Sequence, residues 1–216
     1  MEEQKKLEEA LGVGSNINVV DLIGALYGCG DGDRFALVIG STGKTTCKVE
    51  YLREKNVLLL MTDTMNIAEK DLSVLKTIYR ETKFKEEGYE IVWIPLVDGA
   101  AAAIEKHSES FVRLREQMPW CIPRNLVPVT ESVIKVVKES CYLEKESIVV
   151  VKDRSGYTWN PNAMNMISLW GSEAFSLHPV EGARTLVGTQ GQLVRARGQW
   201  LPPRNKHRIN VSGNEQ

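Results

Sequence analysis

Three sets of residues in this chain have the types and spacing that could do chemistry. The first is Gly40-Ser41-Thr42-Gly43-Lys44-Thr45. Its Gly-Lys-Thr ending, behind the short apolar run Phe35 to Ile39, looks like a phosphate-cradling loop, in which backbone amides and a lysine hold a nucleotide. The full pattern needs a glycine five residues before Gly43, and Val38 stands there. The lysine should also open a long helix whose amino end binds phosphate. Thr45, Thr46 and Val49 are poor helix formers, and the next strand is expected near Asn56. Asp63 could imitate a magnesium-holding carboxylate, but the stretch before it is too short for the required helix. The second set is the cysteines, Cys29, Cys47, Cys121 and Cys141. No two have the spacing of a redox or zinc pair, so they read as free thiols in a reducing compartment. The third is His107, His178 and His207, which are far apart and form no metal-ligand pattern with carboxylates.

The elements that must position these residues are most legible between Lys55 and Phe175. Asn56 to Met61 is a continuous apolar run, the mark of a buried strand. Ala68 to Tyr79 repeats Leu72, Leu75, Ile78 and Tyr79 at helical spacing. Tyr89 to Val97 is a second strand rich in β-branched and aromatic residues, with Pro95 expected near its end. Helices follow over Ile104 to Gln117, ended by Met118-Pro119-Trp120, and over Val129 to Val137. Ser147 to Val151 is a third buried strand, expected to run parallel to the first two. Asp153-Arg154-Ser155-Gly156 is a hairpin turn, with Tyr157 to Trp159 as the returning strand. Asn160-Pro161 reads as a helix-start signal, a cap followed by proline, for a last helix over Ala163 to Phe175. This order predicts an α/β, thioredoxin-like three-layer domain of the tryparedoxin or nucleoredoxin type, with helices on both faces of the sheet.

In that fold the redox Cys-x-x-Cys follows the first strand. Here the loop reads Thr62-Asp63-Thr64-Met65-Asn66-Ile67-Ala68-Glu69. Asn66 and Glu69 stand where the two cysteines belong, and neither can form a mixed disulfide. Glu146-Ser147 precede Ile148 where such folds usually place a proline. Cys121 and Cys141 are expected elsewhere, on the loop and helix side, as structural thiols. The aromatic and sulfur side chains Trp93, Trp120, Trp159, Trp170, Met118, Met164 and Met166 read as packing, with some available for self-association.

Outside this domain the signals are weaker. Met1 to Leu11 is charged and helical. Asn18 caps a helix over Val19 to Leu26, and Gly28 to Gly32 is a turn region. The expected division is 1–52, an N-terminal helical and linker segment; 53–177, the thioredoxin-like domain; and 178–216, a basic, disordered tail. In that tail Arg184, Arg195, Arg197, Arg204, Lys206 and Arg208 outnumber Glu181 and Glu215. A net charge of -1 gives no field favouring nucleic acid. No signal peptide or membrane-length apolar run is visible, so a soluble, cytoplasmic protein is expected.

Several separated motifs together resemble one family. They are Lys55-Asn56-Val57-Leu58-Leu59-Leu60; Tyr89-Glu90-Ile91-Val92-Trp93-Ile94-Pro95-Leu96-Val97-Asp98; Met118-Pro119-Trp120; Ile148-Val149-Val150-Val151; and Trp159-Asn160-Pro161-Asn162-Ala163-Met164, followed by Leu169-Trp170-Gly171 and Ala174-Phe175. In order and spacing they resemble plant sieve element occlusion proteins, the phloem P-proteins that include forisome subunits. The resemblance implies a non-enzymatic structural subunit that assembles into filaments plugging sieve elements after wounding. It implies self-association or pairing with related subunits, and no catalytic residue, cofactor or metal. No acidic calcium loop is present. The chain departs from the family at Glu146, at Gly99-Ala100-Ala101-Ala102-Ala103 and after Leu177. The alternatives from the residues are a thioredoxin-like redox enzyme and a nucleotide-binding protein using Gly40 to Thr45.

Overall fold

A computed structural model describes residues 2–28, 36–40, 45–63, 65–141 and 147–175. The expectations for the 178–216 tail, His178, His207, Cys29 and Glu146 lie outside the described residues. A seven-stranded sheet has the order β2-β1-β5-β4-β3-β6-β7. Its strands are β1 (Leu37–Ile39), β2 (Thr45–Cys47), β3 (Asn56–Asp63), β4 (Tyr89–Leu96), β5 (Cys121–Pro123), β6 (Ser147–Lys152) and β7 (Thr158–Asn160). The helices are α1 (Glu2–Leu11), α2 (Val19–Tyr27), α3 (Glu69–Arg80), α4 (Thr82–Glu86), α5 (Ala101–Arg115), α6 (Glu131–Ser140) and α7 (Met164–Trp170).

The centre is the expected one. β3 pairs parallel with β4, from Asn56 opposite Tyr89 to Asp63 opposite Leu96. β6 lies on the other side of β3, and β7 returns beside β6. This β-α-β unit, followed by an antiparallel pair and a helix, is the thioredoxin-like arrangement. One expectation is corrected: β6 is antiparallel to β3, with Leu59 opposite Val150. An apolar run records burial on both faces of a strand. It says nothing about strand direction, which the intervening connection decides.

Side chains alternate between two faces. Val57, Leu59, Met61, Val92, Ile94, Ile148 and Val150 form one cluster with Leu7 and Leu11 of α1, Leu22 and Leu26 of α2, and Val136 and Val137 of α6. Residues ahead of 53 therefore share a core with the central strands. On the other face Phe111 of α5 stacks on Trp93, ring centroids 5.4 Å apart. There α3 packs against α7.

Local chemistry explains the remaining boundaries. Asn18 caps α2, its Oδ1 accepting from the Val20 amide at 2.9 Å. The cap reading at Asn160-Pro161 is corrected, while the helix starts within one residue of the expected Ala163. Asn160 is the last residue of β7 and its Oδ1 accepts from the Asn162 amide, so α7 begins at Met164. The chain then tightens into a 3-10 turn over Gly171–Phe175. The hairpin turn is organised by Asp153: its Oδ1 accepts from the Ser155 and Tyr157 amides, and its Oδ2 from Trp159 Nε1. The outer edge of β7 is occupied. The Thr158 amide donates to the Ser15 carbonyl and the Gly14 amide to the Thr158 carbonyl, at 2.8 and 3.0 Å.

Candidate functional site

The end of β3 and the start of α3 are where this scaffold would present a nucleophile. Leu58 to Thr62 are fully buried, and the chain emerges at Asp63. Met65 and Ile67 turn inward and anchor the loop, while Asn66 and Glu69 face solvent. Ala68 precedes α3 in extended conformation and supplies no side-chain cap. Glu69 and Asp71 in its first turn place negative charge at the helix amino end, where it complements the dipole. Thr62 Oγ1 accepts from Trp93 Nε1 at 3.0 Å. Asp63 pairs with Lys138 of α6 at 2.6 Å. The polar groups at this end of the sheet thus hold structure together, and the exposed positions carry an amide and a carboxylate with no sulfur.

The other sequence candidates separate in space. Gly40, with φ 75°, ends β1, and β2 begins at Thr45 antiparallel to β1. Gly40 to Thr45 is therefore a hairpin connection between strands, with residues 41–44 outside the described set. The strand-to-helix step that a phosphate loop requires is replaced by Thr45-Thr46-Cys47 in extended form. His107 is half-buried on α5. Among the described residues no group of three or more His, Cys, Asp or Glu could hold a metal ion. Trp93, Trp120, Met118 and Met164 are core, whereas Trp159, Leu169 and Trp170 are exposed.

Two buried polar clusters went unseen in the sequence. The first surrounds Glu90, at the opposite end of β4. Burial pushes its carboxyl up to about 7, against hydrogen bonds from the Ile91 amide and the Tyr79 hydroxyl and the field of Lys55. Burial also pushes the Tyr79 hydroxyl far up. Cys47 and Cys121 are buried free thiols in the same strand region. Interaction with Cys121 lowers the Cys47 thiol from its ordinary value, and interaction with Cys47 together with burial raises that of Cys121. Cys47 Sγ also donates to the Lys48 carbonyl at 3.3 Å. Cys121 belongs to β5, a strand unseen in the sequence because three residues carry no period. The expected loop placement of Cys121 is corrected accordingly. The second cluster is Lys152, wholly buried, its ammonium on the Ala10 carbonyl and Thr158 Oγ1. Desolvation lowers its pKa to about 8. Cys141, which ends α6, is buried nearby and is raised to about 12 by that burial.

No protein-family model matches the chain. Two Arabidopsis thaliana proteins do. Protein SIEVE ELEMENT OCCLUSION B is 33% identical over 146 residues, 61% of this chain and 19% of the relative. Protein SIEVE ELEMENT OCCLUSION C is 29% identical over 91 residues, 42% of this chain and 14% of the relative. The chain is a distant homologue of these sieve element occlusion proteins. It spans less than a fifth of the length of either. Among solved structures, tryparedoxin I from Crithidia fasciculata is 17% identical and covers 67% of this chain and 90% of its own, with a TM-score of 0.47. Tryparedoxin II from C. fasciculata is 15% identical and covers 66% and 85%, with a TM-score of 0.46.

Proposed function

We propose that this protein is a non-enzymatic structural subunit of the phloem, working by association with itself or with other sieve element occlusion subunits. Its place is the cytoplasm of sieve elements. There it contributes to phloem development and to wound-induced occlusion through filament assembly. The observation that carries this reading is the homology over 146 residues to an occlusion protein, on a scaffold whose dithiol positions are Asn66 and Glu69. Association needs surface. Trp159 of β7 and Leu169 and Trp170 of α7 supply exposed apolar side chains for it. Among the described helices none is long and apolar enough to cross a membrane.

The test is electron microscopy and light scattering of the purified full chain, alone and mixed with the Arabidopsis occlusion B protein, beside an insulin-disulfide reduction assay. Filaments or co-assembly without thiol turnover support the reading. A monodisperse chain that ignores the partner overturns it. So does disulfide turnover that disappears in Cys121→Ser or Cys141→Ser.

A further inference from the structure

Residues 2–15 lie on the rest of the chain as an arm with few anchors. α1 packs against α2 and α6. Of its described side chains Leu7, Ala10 and Leu11 are buried, while Gln4, Lys5, Lys6, Glu8 and Glu9 are exposed. One apolar stripe thus holds a helix that is otherwise polar, and such a helix stays soluble when released. After it, the Gly14 amide donates to the Thr158 carbonyl at 3.0 Å and the Ser15 carbonyl accepts from the Thr158 amide at 2.8 Å. Two residues therefore face one, as in a β-bulge that opens on a left-handed glycine, here Gly14 at φ 82°.

The place this arm fills is chemically selective. With the arm lifted, the Lys152 ammonium loses the Ala10 carbonyl, and Thr158 presents an amide and a carbonyl on an open sheet edge. Such an edge is a template for another chain. Its occupant must bring an apolar helical stripe, a carbonyl at the helix end, and the bulged backbone pair just beyond, all in one segment. Residues 2–15 have them, and the same arm on a second copy has them equally. The connection to α2 favours sharing. Between Ser15 and Val19 stand only Asn16, Ile17 and Asn18. They run so close to the hairpin turn that a Cβ on Gly156 would lie 2.8 Å from the Asn16 carbonyl oxygen and 2.9 Å from the Asn18 nitrogen. A short, tightly packed hinge invites exchange between copies, because extending it relieves the turn while the arm keeps every contact. Extended, three residues reach roughly 10 Å. The copies must then meet close to the β7 edge, where Trp159 is exposed.

We propose that residues 2–15 are an exchangeable arm, which on self-association leaves its own body and seats on α2, α6 and β7 of a second copy of this chain. The inference rests on the association reading above and supplies its contact. In the closed chain the arm covers its own edge, so the same residues that hold the monomer also join the copies. Passed from copy to copy without closing into a ring, the exchange extends into a filament.

The experiment mixes equal amounts of isotopically light and heavy full chain in urea, refolds them together and concentrates them while light scattering follows assembly. Monomer and assembled fractions are then treated with an amine cross-linker. Mass spectrometry reads the links from Lys5 or Lys6 of α1 to Lys135 or Lys138 of α6. Exchange makes about half of these links light–heavy in the assembled fraction, as random pairing of swapped arms requires, and none in the monomer. Inserting Gly-Ser-Gly after Asn16 relaxes the hinge and should return assembled chain to monomer without lowering the melting temperature. The isotope readout uses the unmutated chain and stands whether or not that variant folds. Assembly whose α1–α6 links are all light–light or heavy–heavy overturns the exchange and leaves association standing. So does assembly undiminished by the longer hinge. A chain that stays monomeric at every concentration overturns both.

Discussion

The Lys152 ammonium donates to the Ala10 carbonyl at 3.0 Å, joining β6 to the last turn of α1 across 142 positions of chain. The carbonyl is one that a helix end leaves without an intrahelical partner. Thr158 Oγ1 also reaches it, at 3.3 Å. A second donor is therefore already in place. Lys152→Met keeps the volume and leaves the threonine on the carbonyl, so the expected cost at neutral pH is under about 1.5 kcal/mol, as for volume-conserving core changes. Lys152→Ala opens a cavity and should cost about 2–4 kcal/mol. Urea unfolding of the two variants separates them, and equal losses would show that the charge itself holds α1.

The same lysine sets a pH dependence. Its pKa falls from the ordinary 10.5 to about 8, because burial disfavours the ammonium. The unfolded chain therefore binds the proton more tightly than the folded one. Stability is lowest below the folded value and rises as pH climbs towards the unfolded value. Between about pH 7 and pH 9.5 the wild type should gain about 2 kcal/mol relative to Lys152→Met, one pKa unit being worth about 1.4 kcal/mol. Asp153 and Cys141 act on the same site, and Cys141 titrates above this window at about 12. A difference between the two proteins that is flat over this range would contradict the assignment.

Gly156 makes a different kind of contact. Its φ is 89°, and a Cβ there would lie 2.8 Å from the Asn16 carbonyl oxygen and 2.8 Å from the Ile17 carbonyl carbon. Those atoms belong to the segment whose neighbours Gly14 and Ser15 cover the β7 edge. Gly156→Ala should cost about 1–3 kcal/mol through the strained backbone region it must occupy. It should also loosen the segment and expose a strand edge, which invites pairing with another chain. Thermal unfolding reads the first effect and concentration-dependent light scattering the second. An unchanged melting temperature would mean that the turn can shift without disturbing the segment.

How far the sequence revealed this molecule depended on length of signal. β3 and β4, eight residues each and buried except at Asp63, are plain in their composition. α3 shows itself through Leu72, Leu75 and Ile78. β1 shows in the apolar run Phe35 to Ile39, whereas β2 and β5, three residues each, are too short for any period. For the same reason the relation of Cys47 to Cys121 was hidden: they are 74 positions apart and come to one sheet only through β1 and β5. Lys152 closes an apolar strand, and sequence alone gives no sign that its ammonium turns inward to a helix end. The exposure of Asn66 and Glu69 ahead of α3 was legible because it depends on local spacing from a strong strand to a strong helix.

That spacing can be tested by putting sulfur back. Asn66 and Glu69 are exposed, three residues apart, with Glu69 the first residue of α3. A cysteine at a helix amino end gains thiolate character from the helix amides and dipole, moving below the free-thiol value of about 8.5. Asn66→Cys with Glu69→Cys should therefore give a chain that forms one local disulfide, releases it to dithiothreitol and reduces insulin disulfides measurably. Asn66→Cys alone should trap a mixed disulfide without turnover, since no resolving thiol stands beside it. The wild type should do neither. If the double substitution leaves two slowly alkylating thiols that never pair, the loop does not hold the geometry of a dithiol scaffold. The loop would then lack dithiol geometry in its backbone as well as in its side chains.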